Sequence, residues 1–279
     1  MSNHDDSDSN RLNELNGKEW VKSTKSWFII NPRSRNTKQV EHPGKFPEEL
    51  VERFVQFFTH RENWVLDPFG GVGSAALACK SLGRNSVSIE LVPKFATIAR
   101  EQIREHEGSG RHEVITGDSK RGVSLIEERF DGKPPEFDYL ITSPPYWNML
   151  RKSRGGNITT HKERREEGLS EYYSESNRDI GNIESYDAYL QSVTEILEGY
   201  YGLLKNGAYL TVVAQNMRDI DGDLKAIAWD LARLLSETYD LKQEQIWCQD
   251  NKRLGCWGFP TTYVSNVHHH YCIILRKPK

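Results

Sequence analysis

From residue 46 onward short apolar runs alternate with segments of helical period, and that alternation leaves few architectures open. Pro47 leads into EELVERFVQFF, where Leu50, Val51, Phe54, Phe57 and Phe58 recur at helical spacing. An apolar run at Trp64–Asp67 ends in a glycine-rich turn, and Ser74–Leu82 then reads as a helix closed by Gly83. Ser86–Glu90 is a strand, and Pro93–His106 a helix with proline in its first turn. Val114–Thr116 and Phe137–Thr142 are further strands. Tyr186–Leu204 is a strong helix closed by Gly207, Ala208–Ala214 a strand and Asp223–Thr238 a helix. Gln243–Cys248 and Tyr271–Leu275 are late strands. Strands alternating with helices of this length predict an α/β domain with a largely parallel sheet, here of seven strands.

Composition narrows the class. The 279 residues are 37% hydrophobic and 28% charged, enough to build a core, and no apolar run approaches the roughly 18–20 residues that span a bilayer. A formal net charge of −3 excludes a globally basic nucleic-acid binder but leaves room for a local basic patch. The four cysteines form no CxxC pair, so neither a zinc site nor a disulfide framework is indicated. His268, His269 and His270 alternate faces at a strand start, which makes them poor joint ligands, and no metal is expected. The polar, acidic residues 1–16 read as a disordered leader and not as a secretory signal. Residues 17–279 read as one domain, with Trp20, Trp27 and Phe28–Ile30 opening it as a packing segment. The expected location is cytoplasmic.

Two motifs carry chemistry. Asp67-Pro68-Phe69-Gly70-Gly71-Val72-Gly73 lies between a strand and a helix, where glycines let the backbone turn sharply and come close to a ligand. Glu90 ends the next strand, as an acid accepting ribose hydroxyls does, and Asp118 and Ser119 follow the third. Alone, the turn is also what a tight bend before a helix gives. Polar residues at three successive strand ends favour a nucleoside cofactor. There is no phosphate-cradling GxxxxGK[ST], and Asp67 suits a cofactor bearing a cationic amine. The second motif, Ser143-Pro144-Pro145-Tyr146, ends the fourth strand. Its prolines remove two N–H donors and leave carbonyls free, while Ser143 adds a hydroxyl and Tyr146 a ring for a planar base.

DPFGGVG and TSPPY together resemble the S-adenosylmethionine-dependent amino-methyltransferases of DNA, with their DPFxGxG-type and [DNS]PP[YFW] motifs. The resemblance extends over about residues 20–279. His42-Pro43-Gly44-Lys45-Phe46-Pro47 is similar to the segment that closes over the methionine end of the cofactor, and Val267–Lys277 to the family's terminal strand. The resemblance implies a Rossmann-like class I methyltransferase fold with helices on both faces of the sheet. It implies S-adenosyl-L-methionine as cofactor, held by Lys45, Phe46, Asp67, Pro68, Phe69, Gly70, Gly71, Gly73, Glu90, Leu91, Asp118 and Ser119. Ser143, Pro144, Pro145 and Tyr146 become the catalytic segment. Ser143 in the first motif position resembles the cytosine-N4 enzymes more than the adenine-N6 ones, so the implied product is N4-methylcytosine on a flipped base. An adenine-N6 or RNA enzyme on the same scaffold, and a non-catalytic binding module, are the alternatives.

The implied partners are DNA and a cognate restriction endonuclease, with no membrane. The cofactor loop precedes the catalytic motif, the order in which target recognition follows catalysis. Residues 147–183 break the strand–helix rhythm and read as an insert over the active site. Within it, over residues 151–165, Arg151, Lys152, Arg154, Lys162, Arg164 and Arg165 stand against one acid, Glu163, a patch suited to phosphates. Arg253 is a further candidate for DNA contact.

Overall fold

The computed structural model describes residues 11–32, 47–147, 174–218, 223–252, 254–256 and 258–279. The chain runs α1 (Gly17–Ser23), β1 (Trp27–Ile29), α2 (Glu48–Phe58), β2 (Trp64–Asp67), α3 (Ser74–Leu82), β3 (Asn85–Glu90), α4 (Pro93–Glu105), β4 (His112–Thr116), α5 (Gly122–Arg129) and β5 (Phe137–Thr142). It continues with α6 (Tyr186–Gly199), β6 (Leu204–Ala214), the short pair β7 (Met217–Arg218) and β8 (Leu224–Lys225), α7 (Ile227–Leu235), β9 (Asp240–Cys248) and β10 (His269–Arg276).

Eight strands form one sheet in the order β1-β9-β10-β6-β5-β2-β3-β4. All neighbours are parallel except β10, which runs antiparallel to both β6 and β9. The expected seven strands are present, and β1 adds an eighth. It pairs in parallel with the outer edge of β9, Trp27 opposite Ile246, and buries Phe28 while Trp27 and Ile29 stay exposed. A three-residue run is too short to read as a strand until its partner is known.

Side chains alternate across the sheet with period two, which builds a core on each face. Tyr139, Ile141, Val213 and Ile274 pack under α2 and α3. Leu140, Leu210, Val212 and Ile273 pack under α6 and α7 on the other face. Boundaries moved where local chemistry intervenes. The helix expected to reach Leu204 ends at Gly199, passes through a 3-10 turn, and β6 starts at Leu204. The helix expected from Asp223 begins at Ile227, because Leu224–Lys225 is drawn into the β7–β8 pair.

Residues 11–16, read above as part of a disordered leader, are held against the domain. Asn13 and Leu15 are buried, the Asn13 carboxamide donates to the Phe57 carbonyl at 2.6 Å, and Asn16 caps α1 in a capping box with Glu19. Residues 1–10 lie outside the described residues. Among those described, no helix is long and apolar enough to cross a membrane.

β3 and β4 lie on one side of β2, and β5 and β6 on the other, so the strand order reverses between β2 and β5. Open α/β sheets bind ligands outside the carboxyl ends of their strands at such a reversal. Both sequence motifs leave the sheet there.

Candidate active site

Asp67 ends β2 and is almost wholly buried. Its Oδ1 accepts hydrogen bonds from the Phe69 amide at 3.0 Å and from the Thr142 hydroxyl at 2.6 Å. One carboxylate thus fixes the cofactor turn against the end of β5, where Ser143-Pro144-Pro145-Tyr146 begins. Burial pushes its carboxyl up to about 6, with Thr142 and Phe69 opposing, and its Oδ2 has no hydrogen-bond partner among the described residues.

The turn itself is set by close approach. The Gly70 amide donates to the Ile89 carbonyl at 2.8 Å, and a Cβ on Gly70 would stand 2.8 Å from Ser88 Cβ. Gly73 begins α3 at φ 95°, a conformation that L side chains rarely adopt. Glu90 ends β3 with its Oε2 accepting from Gly71 at 2.8 Å and its Oε1 from Val92 at 2.7 Å. Burial raises its carboxyl to about 7 against the pull of those two amides. Past β4, the Ser119 hydroxyl donates to the Pro68 carbonyl, and Tyr200 holds the Ser119 carbonyl at 3.0 Å. Asp118 turns its carboxylate back to the Lys120 amide at 2.9 Å.

A cavity of about 390 Å³ opens over these strand ends. Its wall includes Pro68, Phe69, Gly70, Gly71, Glu90, Leu91, Asp118 and Ser119 from the cofactor side, and Ser143, Pro144, Pro145 and Tyr146 from the other. Asp67 and Gly73, expected to touch the cofactor, are not on that wall. Asp67 lies behind the turn as its brace, and Gly73 starts the helix beneath it. Ser119 reaches the wall, but its hydroxyl is committed to Pro68. Lys45, Phe46, Arg151, Lys152, Arg154, Lys162, Arg164, Arg165 and Arg253 lie outside the described residues, as does most of the 147–183 insert.

The Ser-Pro-Pro-Tyr segment is held from below and from the side. The Tyr189 hydroxyl donates to the Pro145 carbonyl at 2.9 Å. The Tyr146 hydroxyl lies 3.0 Å from His270 Nδ1 on β10. Burial pushes the Tyr146 phenol up to about 12, so the hydroxyl stays protonated. His270 stacks on Trp247 at 4.4 Å and 22°. Burial drives its basicity down to about 3, helped by Lys252 and His269, so the imidazole is neutral. Sequence reasoning missed this far wall of Trp247, Gln249, Lys252 and His270, joined by Arg178 and Asp179. The His269-His270-Tyr271 run was the one visible signal. Nothing in the spacing of Gln249 or Lys252 marks them.

The strand order, with its antiparallel strand between β6 and β9, and two strand-end motifs sharing one cavity give the arrangement of the class I, Rossmann-like methyltransferase fold. Residues 2–101 match the N6_N4_Mtase family model, described as DNA methylase. Type II methyltransferase M.BglI of Bacillus subtilis is 33% identical over 124 residues, 40% of this chain and 34% of that protein. Type II methyltransferase M.HpaI of Haemophilus parainfluenzae is 25% identical over 146 residues, 52% of this chain and 41% of that protein. The solved structure of TrmN from Thermus thermophilus covers 82% of this chain and 48% of that one, at 17% identity and a TM-score of 0.47. The chain therefore spans less than half the length of either curated relative. Over these stretches it is similar to DNA methylases of the N6_N4_Mtase family.

S-adenosylmethionine is the cofactor that family and fold imply, and the residues present fit it. The cavity volume falls in the range of cofactor sites. Glu90 faces the cavity, and each of its oxygens keeps acceptor capacity beyond one backbone amide. Phe69, Leu91, Val92 and Phe95 supply apolar wall beside it.

Proposed function

We propose that this protein is a DNA methyltransferase acting on the exocyclic N4 of a cytosine turned out of the helix. The observation that carries the reading is the shared cavity: the Ser-Pro-Pro-Tyr segment and the glycine turn with Glu90 stand on its two sides, tied together by Asp67 and Thr142.

When bound, S-adenosylmethionine supplies an electrophilic methyl group on its sulfonium sulfur. Glu90 would accept from the ribose hydroxyls, Asp118 would hold the adenine end, and Phe69 and Leu91 would cover its apolar surface. Lys45 and Phe46 belong to the same assignment, over the methionine end. Ser143 and Pro144 handle the nucleophile. Tyr146 bonds the neutral His270 through its hydroxyl, and Ser143 Oγ has lone pairs to offer the substrate. Accepting hydrogen bonds from the amino group at Ser143 Oγ and the Pro144 carbonyl turns the nitrogen lone pair toward the cofactor side. The two prolines carry no N–H that would compete for those acceptors. Alignment of this kind accounts for most of what such a site must supply, with no covalent intermediate on the enzyme. Tyr146, anchored through its hydroxyl, offers its ring to the extruded base. The basic residues Arg151, Lys152, Arg154, Lys162, Arg164 and Arg165 are assigned to phosphates. Methylation of this kind shields sites from a cognate restriction endonuclease, the second partner of the reading.

The test is incubation with DNA and methyl-labelled cofactor, followed by digestion to nucleosides. Label on deoxycytidine at N4 is expected. Label on deoxyadenosine overturns the base assignment. Label on neither, with the cofactor bound, overturns the enzyme.

A further inference from the structure

The polypeptide between β9 and β10, residues 249–268, leaves and re-enters the sheet at the cavity. Gln249 and Lys252 stand on the cavity wall at its start, and His270 lies just past its end. Between them the chain is an internally bonded arch. The Asn266 carboxamide accepts from the Gly255 amide at 2.8 Å and donates to the Gly255 carbonyl at 3.0 Å, closing the base. The Thr261 and Thr262 amides both donate to the Gly258 carbonyl, at 2.9 and 2.7 Å, shaping a turn farther along.

This arch concentrates exposed apolar side chains. Leu254, Phe259 and Tyr263 are 77%, 80% and 85% exposed, the three most exposed large apolar side chains among the described residues. Apolar groups concentrated on one bonded loop mark an interaction surface. At the root of the loop Lys252 is half-buried, its ammonium destabilised by burial, and it has no ion pair among the described residues. A cation left unpaired at a cavity mouth is placed for an anion.

Position decides the occupant. A duplex that delivers one base into the cavity leaves a gap in its stack and brings flanking phosphates to the cavity rim. The loop rises from that rim with apolar side chains of the kind that wedge against opened base steps, and with a cation at its foot. We infer that residues 249–268 form a DNA-contacting element, in which Phe259 and Tyr263 stack against bases next to the extruded one and Lys252 meets its phosphate. The inference rests on the DNA reading above and adds a contact surface separate from the 151–165 patch.

The experiment uses the full chain and a duplex carrying a site found modified in cells that express the protein. Binding is followed by fluorescence anisotropy over a range of salt, alongside cofactor calorimetry and thermal melting. Stacking on exposed aromatics predicts that the Phe259→Ser, Tyr263→Ser double variant loses at least about tenfold in DNA affinity. Its salt slope, cofactor affinity and melting temperature should match the wild type, since both side chains stand in solvent. Lys252→Gln should flatten the log–log salt slope by about 0.9, one phosphate contact. Wild-type DNA affinity in the double variant overturns the inference, and an accompanying change in sedimentation would assign the surface to a protein partner instead. Failure of the wild type to bind DNA at all, with cofactor bound, overturns the DNA reading itself and is distinguishable on that ground.

Discussion

Replacing Glu90 by Gln should convert a pH-dependent cofactor site into a pH-independent one. The carboxylate is 8% exposed and accepts the Gly71 and Val92 amides at 2.8 and 2.7 Å, and burial lifts its folded pKa to about 7. Ribose hydroxyls bind the ionised form. That form makes up about a tenth of the apo protein at pH 6 and about nine-tenths at pH 8, so affinity should rise about tenfold across the interval. At pH 8 the variant loses a charged hydrogen bond worth roughly 1.5–3 kcal/mol, or about 10- to 150-fold in affinity, and at pH 6 most of that difference disappears. Stability of the apo protein should run in the opposite sense. Its folded pKa lies above the ordinary 4.5, so the folded chain keeps a proton that the unfolded chain has released. The contribution is complete below pH 4.5 and is lost as pH rises through about 7, by on the order of 3 kcal/mol. Calorimetric titration of S-adenosylmethionine at pH 6, 7 and 8, with urea melts of the apo protein, reads both trends. Parallel pH profiles for wild type and Glu90→Gln would refute the reasoning.

Two further substitutions test the framework and the catalytic loop. A Cβ on Gly122 would lie 1.7 Å from the Tyr200 hydroxyl, which holds the Ser119 carbonyl, so Gly122→Ala should destabilise by roughly 1–3 kcal/mol and lower the denaturation midpoint without removing any cofactor contact. Tyr146→Ala should lose about 1–3 kcal/mol of base stacking, whereas Tyr146→Phe keeps the ring and loses the link to His270. DNA binding and single-turnover rates, with cofactor titration as control, should show the Ala variant failing in DNA binding and the Phe variant failing mainly in rate.

The sequence by itself determined the α/β alternation, the glycine turn and the proline-locked strand end. Each depends on neighbours within a few residues: helical or alternating spacing, a left-handed turn at Gly73, two ring-constrained residues after Thr142. It also placed Glu90 and Tyr146 at strand ends, because a strand's end is legible from where its apolar run stops. Tertiary structure decided which polar groups face a ligand and which hold the frame. Asp67 reads as a cofactor contact, and only the structure shows its Oδ1 accepting from Thr142, 75 positions away. Ser119 reads the same way, and only the structure shows its hydroxyl donating to the carbonyl of Pro68, 51 positions away. The far wall was invisible for the same reason. Tyr146 meets His270 across 124 positions only because β10 runs antiparallel and sets its first residues beside the end of β6, at the same edge of the sheet where β5 ends. Local sequence fixes what each segment can become, and only the strand order fixes which segment ends share a cavity, because that order is set by burying both faces of one sheet at once.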